Sequence, residues 1–421
     1  MPQLFTTQII AETGYLKTTN QILIFYSQNN KNKLQIASHF LCIINSDNNK
    51  KSGGVIGMKI KRNSRVNYSL AFLKSIINFN KLSLLLIFIF LFSISSNAYA
   101  YSYTPSKSAI KSNYYNQLPS WDQSSENLKL LINFIEDVTN PQSKNFVPEK
   151  DRIATFDMDG TILCEKPISM ESALIVNRIE TTFAKNKSMQ KLKDVMLDYL
   201  KSTDHPDNIW DFVNYVLTET LQGLSLNEYE NLIYEFQNNL HSDSGKLSKP
   251  WKEMFYQPML ELISVLQNNK FSIYIVSGSG RAVVRTCSEK LNIPFNNCIG
   301  ADMQIYPSVS GKNSKMLLPD DKLLCGNARA VNDFGFLKVS HIYREIGKRP
   351  IIAFGNSDGD FSMFNYAIGN KKYKSLAMMI YHDDQKREYK YNENTDWLKM
   401  AKKFGWNVIS MKNEFKKIFV K

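Results

Sequence analysis

Histidine is scarce in this chain. Its five copies, His39, His205, His241, His341 and His382, are scattered over 421 residues, with no pair at the spacing of a zinc site. No G-x-S-x-G segment occurs, which excludes the nucleophile elbow of a serine hydrolase. Cysteine is sparse too: beyond residue 100 only Cys164, Cys287, Cys298 and Cys325 remain. Four thiols allow three pairings, and a Cys287–Cys298 bridge and free buried thiols both stay open. There is no internal repeat. Acidic residues are nearly missing from residues 1–100, which hold 11 Lys and Arg against 2 Asp and Glu. The whole chain is +13, so the other 321 residues carry only +4. The high basicity belongs to the leader and gives no ground for nucleic-acid binding.

The leader contains the one long apolar run, Leu82 to Ser95, preceded by Lys59, Lys61, Arg62, Arg65, Lys74 and Lys81. Ala98-Tyr99-Ala100 follows as a small-x-small cleavage pattern. The run is short of the ~20 residues a spanning helix needs. Residues 58–100 therefore read as a signal peptide of a periplasmic or secreted protein, with an uncleaved inner-membrane anchor as the alternative. A membrane enters only through that segment. Residues 1–57 read as an upstream extension, from a start set too early or as an unstructured Asn- and Lys-rich stretch. Residues 101–120 read as a polar linker.

Chemistry concentrates in four later segments. Ile153 to Phe156 is a short apolar strand that delivers Asp157 and Asp159 into a turn permitted by Gly160. Two carboxylates one residue apart can share a divalent cation, one as nucleophile and the other as acid and base. Residues 271–280 form a second strand ending at Ser277 and Gly278, a hydroxyl and free amides suited to phosphate. Lys338 opens a helical segment and can reach a phosphate as a point charge. Residues 351–354 are a further strand, followed by Asn356, Asp358 and Asp360, oxygen ligands that suit Mg²⁺.

Together these segments resemble the four motifs of the haloacid dehalogenase superfamily, in its phosphoserine-phosphatase-like branch. The resemblance covers about residues 121–421, and Trp121 to Pro148 and the tail after Leu376 are similar to exported bacterial phosphatases. It implies a doubly wound, Rossmann-like, mostly parallel α/β core (residues 121–166 and 250–421) with a helical cap inserted at 167–249. It implies Asp157 as nucleophile, Asp159 as acid and base, and Ser277, Gly278 and Lys338 on the phosphate. Asp157, Asp159, Asn356 and Asp360 are the implied Mg²⁺ ligands, with Asp358 as alternative. Asn356 departs from the pattern, because most relatives place an acid there.

The implied activity is Mg²⁺-dependent hydrolysis of a small phosphorylated metabolite. A phosphotransferase is one alternative and a catalytically idle phospho-ligand-binding protein is another. Asp159 argues against a halide-displacing dehalogenase, which has no use for a second acid. The insert between the first two motifs is about 120 residues, and helical spacing is expected at 170–185, 189–200, 209–221 and 226–240. Such a cap closes over substrate. His382 follows an expected strand, 376–381, and stands either near the catalytic edge or in a surface turn.

Overall fold

The computed structural model describes residues 15–18, 21–24, 113–201, 209–241, 248–391 and 395–420. The chain divides into two compact units, Met1–Ser102 and Tyr103–Lys421. In the first, the described residues form two antiparallel strands, β1 (Tyr15–Thr18) and β2 (Gln21–Ile24). The segment expected as a signal peptide lies outside the described residues. Among those described, no helix is long and apolar enough to cross a membrane.

The second unit is built around β3 (Ile153–Phe156), in which all four residues are buried. A strand covered on both faces belongs inside a parallel sheet. β3 pairs in parallel with β4 (Ser272–Gly280) on one side and with β7 (Ile352–Gly355) on the other. Phe156 is in register with both Ile275 and Phe354 and stacks on the Phe354 ring at 4.5 Å. The three strands therefore end level. The sheet continues through β5 (Cys298–Pro307) to β6 (Leu323–Val331), and through β8 (Leu376–Tyr381) to β9 (Asn407–Ser410). Its order is β6-β5-β4-β3-β7-β8-β9, parallel throughout except between β5 and β6. This is the doubly wound α/β core expected from the sequence, and the chain changes direction across the sheet at β3, where such folds form their sites.

Helix α1 (Glu126–Thr139) starts at the cap Ser125, whose Oγ accepts the Leu128 N–H. It buries Leu128, Leu131, Ile132, Ile135 and Val138, each contributing about 1.5–3 kcal/mol. The expected linker reaches less far than its polar composition suggested. Leu118 is fully buried, Tyr114 donates to Asn269 Oδ1 at 2.8 Å and Ser120 to Glu261, so residues from 114 onward are part of the packed core.

The insert contains four helices, α2 (Met170–Thr182), α3 (Lys187–Lys201), α4 (Ile209–Leu221) and α5 (Leu226–Phe236). α4 has the expected bounds, and α5 ends earlier than expected, behind a Ser225/Glu228 capping box. β6 was not anticipated. It is stitched to the turn after α4, with Gly223 N–H on Cys325 O at 2.9 Å and Cys325 N–H on Leu224 O at 2.7 Å. The covering layer is thus four helices plus the β5–β6 ribbon. All four cysteines beyond residue 100 are free and buried. The chain returns through α6 (Gln257–Asn268), and β4 leads into α7 (Arg281–Ser288). α8 (Phe336–His341) and α9 (Phe361–Ile368) carry the remaining motif segments to the same edge.

Candidate active site

Asp157 is the first residue past β3, and its N–H bonds to Phe354 O on the neighbouring strand at 2.9 Å. The chain then turns so tightly that Met158 O accepts from Thr161, Ile162 and Leu163 N–H groups. Gly160 makes that turn with φ +73°, and a Cβ there would lie 2.0 Å from Asn356 Nδ2. No other residue fits. The first and fourth motifs are locked face to face at this point.

A buried ion cluster joins them to the third. Lys338, 2% exposed, donates to Asp157 Oδ1 at 2.6 Å and to Asp360 Oδ1 at 2.7 Å. The other Asp360 oxygen accepts the Asn356 and Ser357 N–H groups at 3.0 and 3.1 Å, so Asp360 shapes the loop while it holds the lysine. Burial works against the Lys338 charge, but Asp157 and Asp360 overrule it and hold the ammonium well above its usual range. Burial, and then the Asp360 charge, push the Asp157 carboxyl upward, with Lys338 opposing.

The second motif faces Asp159. Its Oδ2 accepts from Ser279 Oγ at 2.7 Å and lies 3.4 Å from Ser277 Oγ, and its Oδ1 is buried without a partner among the described residues. Ser277 Oγ also accepts the Ser279 N–H at 3.2 Å, while Gly278 between them is exposed. Burial lifts the Asp159 pKa to about 7, the Ser279 bond lowers it, and Glu165 and Glu171 add to the rise.

That raised pKa has a stability consequence. The folded value stands above the unfolded carboxyl value of about 4, so the native state holds the extra proton between them. The associated stability is present below pH 4 and is lost as pH climbs through 7. Asp159→Asn therefore stabilises the metal-free protein relative to wild type more at pH 8 than at pH 5. The difference is about 2–3 kcal/mol, since a tenfold change in proton affinity is worth about 1.4 kcal/mol. Denaturant unfolding in chelator at the two pH values measures it, and a difference between the two proteins that ignores pH contradicts the assignment.

Among the described residues, no three His, Cys, Asp or Glu side chains group as a metal cage. Asn356 is the reason, because it stands where an acid would complete one. Its Oδ1 lies 3.2 Å from Thr161 Oγ1, which is in turn 3.4 Å from Asp157 Oδ2. Its Nδ2 donates to Glu165 Oε1 at 3.0 Å. Glu165 therefore fixes the amide with its oxygen towards Asp157. Hard oxygen donors next to a buried carboxyl whose charge is disfavoured fit Mg²⁺. Asp358 is exposed and separated in character from the buried Asn356 and Asp360, so the alternative assignment to Asp358 loses support.

Three residues escaped the sequence reading. Ser279 carried a signal, since it shares a strand face with Ser277 by the two-residue period. Glu165 carried none. His382 is fully buried, not in a surface turn: Nε2 donates to Gly160 O at 2.7 Å and Nδ1 is 3.2 Å from Glu388 Oε2, bracing the turn that carries Asp159.

No family model matches the chain, and no curated protein matches it. Solved structures align over most of the second unit. A phosphoserine phosphohydrolase-like protein from Francisella tularensis subsp. tularensis SCHU S4 is 16% identical, covers 59% of this chain and 99% of its own, and has a TM-score of 0.32. Cytosolic 5'-nucleotidase IIIB bound to cytidine is 12% identical over 68% and 85%, with a TM-score of 0.41. A functionally unknown protein from Anaerococcus prevotii DSM 20548 is 15% identical over 69% and 92%, at 0.42. Likeness of this degree carries no weight by itself. The fold assignment rests on the strand order of this chain and on the four segments at its carboxyl edge. By those features the chain has the α/β fold of the haloacid dehalogenase superfamily, with the superfamily's four motif segments gathered at one site.

Proposed function

We propose that this protein is a Mg²⁺-dependent phosphomonoester hydrolase working through an aspartyl-phosphate on Asp157. The observation that carries the reading is the opposite treatment of two neighbouring carboxyls. Asp157 lies 2.6 Å from an ammonium that favours its anion, and Asp159 is buried against hydroxyls with its pKa near neutrality. One is set as nucleophile, the other as an acid that can give and retake a proton.

Asp157 Oδ attacks phosphorus in line, and the P–O bond to the leaving alcohol breaks as Asp159 protonates that oxygen. Asp159, now anionic, takes a proton from the incoming water, whose oxygen attacks phosphorus and releases inorganic phosphate and free Asp157. Lys338, Ser277 and the amides around Met158 and Gly278 neutralise the phosphoryl oxygens. Asp157 and Asn356 would hold Mg²⁺, which when bound supplies the charge that lowers repulsion between nucleophile and phosphate. Release of phosphate from an aryl phosphate with and without Mg²⁺ tests this, and absence of Mg²⁺-dependent release from a panel of phosphomonoesters sinks it.

Asn356 sharpens the test. Asn356→Asp alone sets a carboxylate against Glu165, where the amide now donates at 3.0 Å. The benefit of an added charged ligand should appear only when that repulsion is removed. In the Asn356→Asp/Glu165→Gln pair, the half-saturating Mg²⁺ concentration falls about tenfold, the worth of one charge-assisted contact. An equal fall in the single variant contradicts the role given to Glu165.

A further inference from the structure

A cavity of about 410 Å³ opens between the covering helices, the β5–β6 ribbon and the start of α7. Gly280 borders it, and Ser279, one residue earlier, donates to the leaving-group acid Asp159. The cavity therefore begins within one residue of the side from which a leaving alcohol departs. Its walls are partly apolar, with Leu217, Leu226 and Met303.

The charged groups in it are unequally satisfied. Glu171 accepts the Gly280 N–H with both oxygens, at 3.1 and 3.2 Å, and the Tyr229 hydroxyl at 3.2 Å. Arg281 is forked onto both Asp302 and Glu345. Arg329 differs. Its side chain is 9% exposed, Nε donates to Asn214 Oδ1 at 2.9 Å and Nη2 is 3.7 Å from Glu171. Its Nη1 is buried and has no partner among the described residues. A buried guanidinium donor without an acceptor is costly, and a bound acceptor removes that cost.

We propose that this cavity holds the alcohol half of the substrate, and that Arg329 binds an anionic oxygen group on it, carboxylate or second phosphate. The inference rests on the hydrolase reading for the phosphate end alone. It selects short phosphomonoesters carrying a second anion and disfavours those with a cationic alcohol, such as choline phosphate. A volume of this size admits a small metabolite.

Calorimetric binding of non-hydrolysable phosphonates to the whole protein with Mg²⁺ present tests it without relying on turnover. Phosphonopropionate and propylene diphosphonate separate the two anion types, with propylphosphonate as neutral and aminopropylphosphonate as cationic comparison. Wild type binds one of the dianionic-tailed ligands at least tenfold tighter than propylphosphonate. In Arg329→Met that ratio falls to about one, and in Arg329→Lys it is intermediate. The wild-type ranking alone decides the matter if Arg329→Met does not fold. Equal binding of anionic and neutral ligands by wild type overturns the proposal, as does tightest binding of the cationic ligand or a preference that survives Arg329→Met. No turnover on any phosphomonoester with the preference intact overturns the hydrolase reading and leaves the anion site standing.

Discussion

Asp157→Asn lowers kcat for an aryl phosphate by about 10⁴-fold or more, the scale seen when a nucleophile is removed. The amide keeps the shape of the carboxylate and cannot attack phosphorus. The fold should survive the change. Lys338 keeps Asp360 as a partner at 2.7 Å, and the buried Asp157 charge, disfavoured by burial and by Asp360, is gone. Thermal unfolding is therefore expected within a few degrees of wild type, at about 4–8 °C or less per kcal/mol. Residual activity within a few-fold of wild type, in a folded variant, contradicts the assignment of the nucleophile.

Lys338→Met has the largest expected effect on stability. Asp157 and Asp360, 5% and 0% exposed, then face each other without a cation. Removing one partner from a buried ion cluster costs about 3–5 kcal/mol, much of it the penalty of the charge left behind. Adding Asp360→Asn should recover part of that loss, because one stranded charge disappears while an acceptor for the Asn356 and Ser357 N–H groups remains. Activity should not return, since the phosphate loses its ammonium. Denaturant unfolding of the single and double variants measures the coupling. A cost below about 1 kcal/mol for Lys338→Met, or strict additivity with Asp360→Asn, contradicts the buried cluster.

Much of the core was readable because its signals are local. β3 is four apolar residues followed at once by Asp-x-Asp-Gly, and β8 and α4 have the bounds that periodicity gives. Each strand ends in its own functional residue, so a parallel sheet assembles Asp157, Ser277 and Asn356 without further instruction. Contacts between distant segments were not readable. Glu165 meets Asn356 across 191 residues, and nothing near Glu165 marks it as a partner of an amide. Arg329 lies on a strand whose antiparallel pairing depends on β5 leaving the sheet to join the covering helices. The stretch from Tyr114 to Ser120 looked like a linker because its composition is polar, yet one tyrosine and one leucine anchor it. His382 shows the same limit, because burial of a histidine depends on what folds over it, here Tyr391 stacked at 4.1 Å.

The central claim is that a covalent phosphoryl group passes through Asp157. Acid quenching during turnover, reduction of acyl phosphate with borohydride and mass spectrometry of the peptide containing residues 153–163 address it directly. The account predicts reduction at Asp157 in wild type, a larger fraction in Asp159→Asn, where the water lacks its base, and none in Asp157→Asn. Full turnover with an unmodified Asp157, or a phosphoryl group captured on another residue, would contradict it.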